Sequence, residues 1–345
     1  MADGKRAVDS GRGRLPFSYL DEIDPHFSEA ALTIKPHAVW TSLITNTEYL
    51  SGLLTLDYSL KKHKSAYPLV ALYTDTFPAE GLAALEARGI PHQKIKYLLP
   101  TKSTRDYSND PRFYDCWSKL TPFGLTQYDR VVQLDSDMLV LQNMDELMTM
   151  ALDDGAAAAA GGPDSGRVFA AGHACVCNPL RKAHYPKDWV PENCAFTSQH
   201  AHPETAQHTG ADPAVSPLGY MNGGLQVVNP SNDVFRQIVD YMDSHAGDLD
   251  FADQSLLSEL YRGRWVALPY IYNALKTLRW DGVHMPIWRD DSVKNVHYIL
   301  TPKPWDELDA DGNSTSEDET HRWWADVNKE RRVDERSRGV NDDGF

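Results

Sequence analysis

The chain has 345 residues, 41% of them hydrophobic, and a formal net charge of −15 from 34 Lys and Arg against 49 Asp and Glu. That length buries a large core, as one large domain or two small ones, and the acidic balance argues against a nucleic-acid or anionic-membrane surface. Four cysteines are too few for a disulfide scaffold at this length, so reduced thiols in a cytoplasmic protein are the expectation. No secretory leader is visible, and no apolar run approaches the roughly 20 residues of a membrane span.

Residues 1–33 read as a loosely ordered arm, and 34–335 as one domain. The runs at 38–45 (AVWTSLIT), 68–73 (PLVALY) and 94–99 (KIKYLL) predict buried strands, separated by helices that end near His63 and at Arg88, before Gly89. Strand and helix alternating at short spacing point to an α/β fold with a mostly parallel central sheet flanked by helices. Residues 107–125 predict a helical connection, 130–134 a strand, 144–151 a short helix and 156–160 a small-residue strand. From 161 to 217 the periodicity fades, which predicts a long loop insertion, a candidate lid on the acceptor side of a cleft. Core-like sequence returns as a strand in 220–230, helices at 233–245 and 253–260, and late strands at 265–269 and 296–299. An acidic loop (308–320) and a helix (321–332) close the pattern.

The stretch 128–147 (YDRVVQLDSDMLVLQNMDEL) carries the strongest chemical signal. A buried strand runs into Asp135-Ser136-Asp137, and carboxylates two residues apart in extended chain point to one side. Two such charges about 4 Å apart repel by roughly 4 kcal/mol at an effective dielectric of about 20, so a divalent cation with oxygen ligands is a natural occupant. A turn whose aspartates cap a helix is the other reading. Alone, Asn222-Gly223-Gly224 is a turn, Asp253 a helix cap, Lys119 a surface lysine and His297 a core histidine. Function rests on the set.

In their joint order, several stretches resemble the family 8 retaining glycosyltransferases, which include glycogenin and the plant galactinol synthases. They are 41–60 (TSLITNTEYLSGLLTLDYSL), 116–147, 220–231 (YMNGGLQVVNPS), 251–257 (FADQSLL), 268–275 (LPYIYNAL) and 296–305 (VHYILTPKPW). The resemblance implies a GT-A fold, a UDP-sugar donor and Mn²⁺, or Mg²⁺ in its place. It implies metal ligation by Asp135, Asp137 and His297. Lys303 and Lys119 are then expected near the diphosphate, Ser136 and Arg112 beside the nucleotide sugar, and Thr45, Asn46 and Tyr49 at the uracil. Asn222, Gly223 and Gly224 match a turn beside the donor sugar, and Asp253 and Gln254 a pair facing the reacting carbon. One departure stands out: Leu300 replaces the family's usual glycine, whose bare backbone approaches the phosphate.

The acceptor follows less directly. Glycogenin glucosylates its own tyrosine shortly after a segment matched here by 269–273, but the residue in register is Trp280, whose indole has no hydroxyl. The FADQ and YNALKTLRW runs, Trp323-Trp324 and the cysteine-containing insertion are similar to the galactinol synthase branch, which moves galactose from UDP-galactose to myo-inositol. The expected partners are therefore a UDP-sugar donor and a small polyol or sugar acceptor, with oligomeric state open. A glycogenin-like glucosyltransferase and a non-catalytic sugar-nucleotide binder are the alternatives. The insertion also gathers His173, Cys175, Cys177, His184, Cys194, His200, His202 and His208. Zinc is conceivable there, but Cys-x-Cys with scattered histidines lacks the usual C-x-x-C spacing, which favours a loop packed on the core with buried thiols.

Overall fold

The computed structural model describes residues 37–102, 106–108, 112–161, 166–212 and 218–345; the arm expected over 1–33 lies outside them. In chain order the strands are β1 (Ala38–Ile44), β2 (Leu69–Tyr73), β3 (His92–Lys94), β4 (Arg130–Leu134), β5 (Met138–Val140), β6 (Phe169–His173), β7 (Met221–Val228), β8 (Val266–Ala267), β9 (Ala274–Leu275) and β10 (Asn295–His297). The helices are α1 (Leu50–Lys62), α2 (Ala79–Ala87), α3 (Arg112–Cys116), α4 (Gly155–Ala160), α5 (Ala195–Ser198), α6 (Asn232–His245), α7 (Ala252–Leu260) and α8 (Glu319–Ser337).

A seven-stranded sheet has the order β3-β2-β1-β4-β7-β6-β8. Its pairs are parallel except where β7 meets β4 and β6, so β7 runs against the other strands of this sheet among the described residues. Alternate side chains of the buried strands leave on opposite faces and find different cores. Val39, Val70, Leu72 and Val131 join one core, with Val234, Phe235 and Ile238 of α6 and Leu256 and Leu257 of α7. Trp40, Leu69, Ala71, Val132 and Leu134 join the other, with Leu50, Leu53 and Leu54 of α1 and Ala84 and Leu85 of α2. The sheet is thus covered on both faces, as continuous apolar strands require. A smaller sheet, β5-β10-β9, anchors a third core with much of the insertion, through Leu139, Ala274, Val296, Ala174, Trp189 and Phe196.

Three expectations are corrected. Residues 156–160 form α4, because alanine is the strongest helix former, the Asp154 side chain caps the Ala157 N–H and Gly161 ends the helix at φ 66°. The third strand is His92–Lys94, beginning two residues earlier and ending five residues earlier than read; its partner β2 stops at Tyr73, and Ile95 N–H makes the final bond to Tyr73. The insertion is not loop throughout, since β6 lies within it, fully buried and paired with β7 and β8.

Candidate active site

The topology assembles the site where two sheets meet. Antiparallel pairing sets Leu134 of β4 opposite Leu225 of β7, so the chain leaving β4 emerges beside Asn222-Gly223-Gly224, and Asp135 N–H donates to the Gly224 carbonyl at 2.8 Å. In the small sheet His297 pairs with Met138, which brings the imidazole to Asp137. One nitrogen or oxygen from each of Asp135, Asp137 and His297 lies within 4.8 Å of the others, although 160 residues separate Asp137 from His297 in sequence. His297 Nε2 is 3.3 Å from Asp137 Oδ1 and 3.6 Å from Asp135 Oδ2.

A chain of amides fixes the histidine tautomer. Gly224 N–H can only donate, so the atom it meets at 3.0 Å is the Asn222 Oδ1 oxygen. That oxygen also accepts from Asn273 Nδ2 at 2.9 Å, which turns Asn273 Oδ1 toward His297 Nδ1, again at 2.9 Å. Nδ1 therefore carries the proton, and Nε2 presents its lone pair to the two carboxylates. Two oxygens and one neutral imidazole nitrogen suit Mn²⁺ or Mg²⁺, so the residues fit the expected cation.

Two lysines hold the carboxylates from behind. Lys119 Nζ donates to Asp135 Oδ2 at 2.9 Å and lies 4.0 Å from Asp253 Oδ2. Lys303 Nζ pairs with Asp137 Oδ2 and donates to the Tyr298 carbonyl at 2.7 Å. Burial opposes ionisation of Asp137, but the Lys303 ammonium beside it outweighs that cost and holds the carboxyl well below its ordinary range. Burial likewise opposes the charge on Lys119, yet Asp135 and Asp253 hold its ammonium above the usual lysine range. Burial pushes the Asp253 carboxyl up to about 7, with Lys119 pulling the other way and Asp135 adding to the rise.

Asn222-Gly223-Gly224, read alone as a turn, opens strand β7 instead, and its glycines are sterically required. A Cβ on Gly223 would stand 2.5 Å from Asp253 Oδ2, and one on Gly224 would stand 2.3 Å from His297 Cε1. Gln254 Oε1 accepts from Gly223 N–H at 3.2 Å and Asn222 Nδ2 at 3.3 Å, which ties the FADQ run to the start of β7. Thr45, Asn46 and Tyr49, just past β1, line a hollow continuous with Lys119, Asp135, Ser136 and Asp137. The Ser136 hydroxyl donates to the Leu43 carbonyl at 2.9 Å and meets Ser42 Oγ at 3.0 Å. The hydroxyls of Thr45, at 2.8 Å, and Tyr97 donate to Asp115, which also lines the hollow. Leu300 has φ 67°, the left-handed conformation that favours glycine.

The cleft thus brings together Lys119, Asp135, Asp137, Asn222, Gly223, Gly224, Asp253, Gln254, His297 and Lys303, facing Asn178, Lys182, Tyr185 and Trp189 of the insertion. The Arg112 side chain lies outside the described residues. Sequence reading missed Asn273 and Asp115. The first ends the 269–273 segment already singled out; the second lies one residue before the matched 116–147 block.

Comparisons with known proteins agree with this arrangement. The family described as "Glycosyl transferase family 8" matches residues 41–309. Galactinol synthase 1 of Solanum lycopersicum is 26% identical over 303 residues, spanning 87% of this chain and 84% of the relative. Galactinol synthase 4 of Arabidopsis thaliana is 25% identical over 321 residues, spanning 91% and 87%. Among solved structures, the galactosyltransferase LgtC in complex with donor and acceptor sugar analogues superposes with a TM-score of 0.52 at 16% identity, over 88% of this chain and 100% of that one. The fold is the GT-A type expected. No helix of the described residues is long and apolar enough to cross a membrane.

Proposed function

Because the chain belongs to glycosyl transferase family 8, and is thereby a UDP-sugar-dependent glycosyltransferase, we propose that it is a metal-dependent, retaining enzyme that moves galactose or glucose to a small polyol, myo-inositol being the first candidate. The observation that carries the metal-dependent site is the convergence of Asp135, Asp137 and His297 in a cleft that also holds Lys119 and Lys303. The choice of acceptor rests on the similarity to galactinol synthases and on the register of Trp280, whose indole Nε1 donates to Asp318 at 3.1 Å. We place the reaction in the cytoplasm and the catalytic machinery within a single domain, 34–335.

Transfer breaks the bond between the anomeric carbon and a diphosphate oxygen, and the acceptor oxygen forms the new bond while its proton leaves with UDP. Asp135, Asp137 and His297 would hold Mn²⁺ or Mg²⁺, which supplies Lewis-acid stabilisation to the departing diphosphate. Lys119 and Lys303 place fixed positive charge on the same side, where it counts most in a site shielded from water. Thr45, Asn46 and Tyr49 receive the uracil, and Arg112 and Ser136 belong to the nucleotide-sugar side. Asp253 and Gln254, held against Asn222–Gly224 at the start of β7, put a carboxyl group and an amide beside the sugar as it becomes cation-like. Trp189 and Tyr185 of the insertion pack edge to face at 5.1 Å and offer a wall for an acceptor ring.

The test is a donor-by-acceptor screen with manganese, reading product mass. Transfer of hexose to inositol supports the full reading. Sugar added only to the protein itself overturns the acceptor choice. Binding of UDP-sugars with no UDP release from any donor would end the catalytic reading.

A further inference from the structure

The insertion supplies three cysteines to a second cluster, one of which, Cys175, also lines the cleft. Cys175 and Cys177 leave the end of β6, Cys194 opens α5, and His284 reaches in from the turn between β9 and β10. One ligand atom from each of the four lies within 4.8 Å of the others. His284 Nε2 is 3.2 Å from Cys177 Sγ and 3.3 Å from Cys194 Sγ. In a tetrahedral site with Zn–S about 2.3 Å and Zn–N about 2.0–2.1 Å, sulfur and nitrogen stand about 3.5 Å apart along an edge, close to these separations. Cys194 and His284 are buried, and Cys175, Cys177 and Cys194 carry no disulfide.

We propose that Cys175, Cys177, Cys194 and His284 form a structural zinc site that fastens the insertion to the segment between β9 and β10. Three thiolates and one imidazole close a four-coordinate shell with no position left for substrate, which distinguishes a structural site from a catalytic one. The outer partner is also in place. His284 Nδ1 and His200 Nε2 lie 2.9 Å apart, so an N–H donated by His284 to His200 leaves His284 Nε2 facing the sulfurs as a ligand. The other histidines of the insertion stand apart. His173 is used up between the Tyr220 and Ala211 carbonyls, at 3.2 and 2.9 Å, and His184, His202 and His208 are exposed. The wall needs such a fastening. Its segment from 174 to 212 contains α5 and a few turns of 3-10 helix but no strand, so little ladder bonding holds it to the rest. The absence of C-x-x-C spacing is explained by the fourth ligand, which lies 107 residues beyond Cys177.

The experiment uses the full chain, expressed in zinc-supplemented medium, purified without a metal column and passed through EDTA. Elemental analysis should find about one zinc per chain. Zinc should be lost in Cys194→Ser and His284→Ala, and retained in His284→Cys, in Cys116→Ser and in Asp135→Ala, which separates this site from the carboxylate one. In case the variants fail to fold, wild-type protein stripped by a thiol reagent, reduced and given Co²⁺ should develop the visible and thiolate charge-transfer bands of a tetrahedral thiolate site. Folded wild-type protein that holds no zinc and gives no such bands overturns the proposal, as does a disulfide among the three cysteines of the freshly purified protein.

Discussion

Asn273→Ala tests the amide chain that sets the histidine tautomer. The substitution leaves His297 Nδ1–H, in a ring only 3% exposed, without its acceptor. An orphaned buried donor costs about 1–3 kcal/mol, which the ring can avoid by moving its proton to Nε2. The lone pair then faces away from Asp135 and Asp137, and the cation loses a ligand. Loss of an outer partner of a metal-bound histidine typically weakens metal affinity about 10–100-fold, or roughly 1.4–2.7 kcal/mol, which falls within that desolvation range. The assay is UDP release against manganese concentration at saturating donor. Half-saturation should rise by one to two decades while kcat at saturating manganese stays within a few-fold. An unchanged half-saturation would refute the tautomer argument. So would a collapse of kcat that manganese does not rescue, since Asn273 would then act on the substrate.

Asp137→Asn should lower turnover at least about a hundredfold, with the circular dichroism spectrum unchanged; full activity would remove Asp137 from the metal set. Asp253, raised by burial to about 7 from 3.8, keeps its proton in the folded chain between about pH 4 and about 7, where the unfolded chain has already released it. It therefore contributes stability that is full below pH 4 and lost as pH rises through about 7. Denaturant unfolding of Asp253→Asn should lack this loss, gaining on the order of 4 kcal/mol on the wild type between pH 4 and pH 8, and parallel pH profiles would count against the buried carboxyl. Leu300→Gly relieves a left-handed residue whose strain is about 1–2 kcal/mol, so the melting temperature should rise and UDP should bind more tightly. A lower melting temperature together with weaker UDP binding would show that the leucine side chain contributes more by packing than its backbone costs.

What could be read from the sequence follows from where each signal is written. The apolar runs of β1, β2, β4 and β7 are long or β-branched enough to announce buried strands, and Asp135, Asp137 and His297 stand in stretches whose order is itself informative. β6 escaped because FAAGH is short, built largely of small residues, and enclosed by glycine and proline. The alanines of α4 carry no amphipathic pattern, so only their caps mark them as helical. Asn273 and His284 were missed for a different reason. A lone amide or imidazole has no periodic signature, and its meaning lies in the partner that the fold delivers.

The two lysines behind the carboxylates have a thermodynamic consequence. Asp253 apart, which burial keeps near the midpoint of its titration at neutral pH, two acidic and two ammonium groups with a neutral imidazole sum to zero. A lone divalent ion would make that nest strongly positive, and a lone nucleotide sugar, with two negative charges, would enter against a chain of net −15. Entering together they restore neutrality. Each should therefore recruit the other by the same factor, so that affinity for either ligand has meaning only at a stated concentration of its companion.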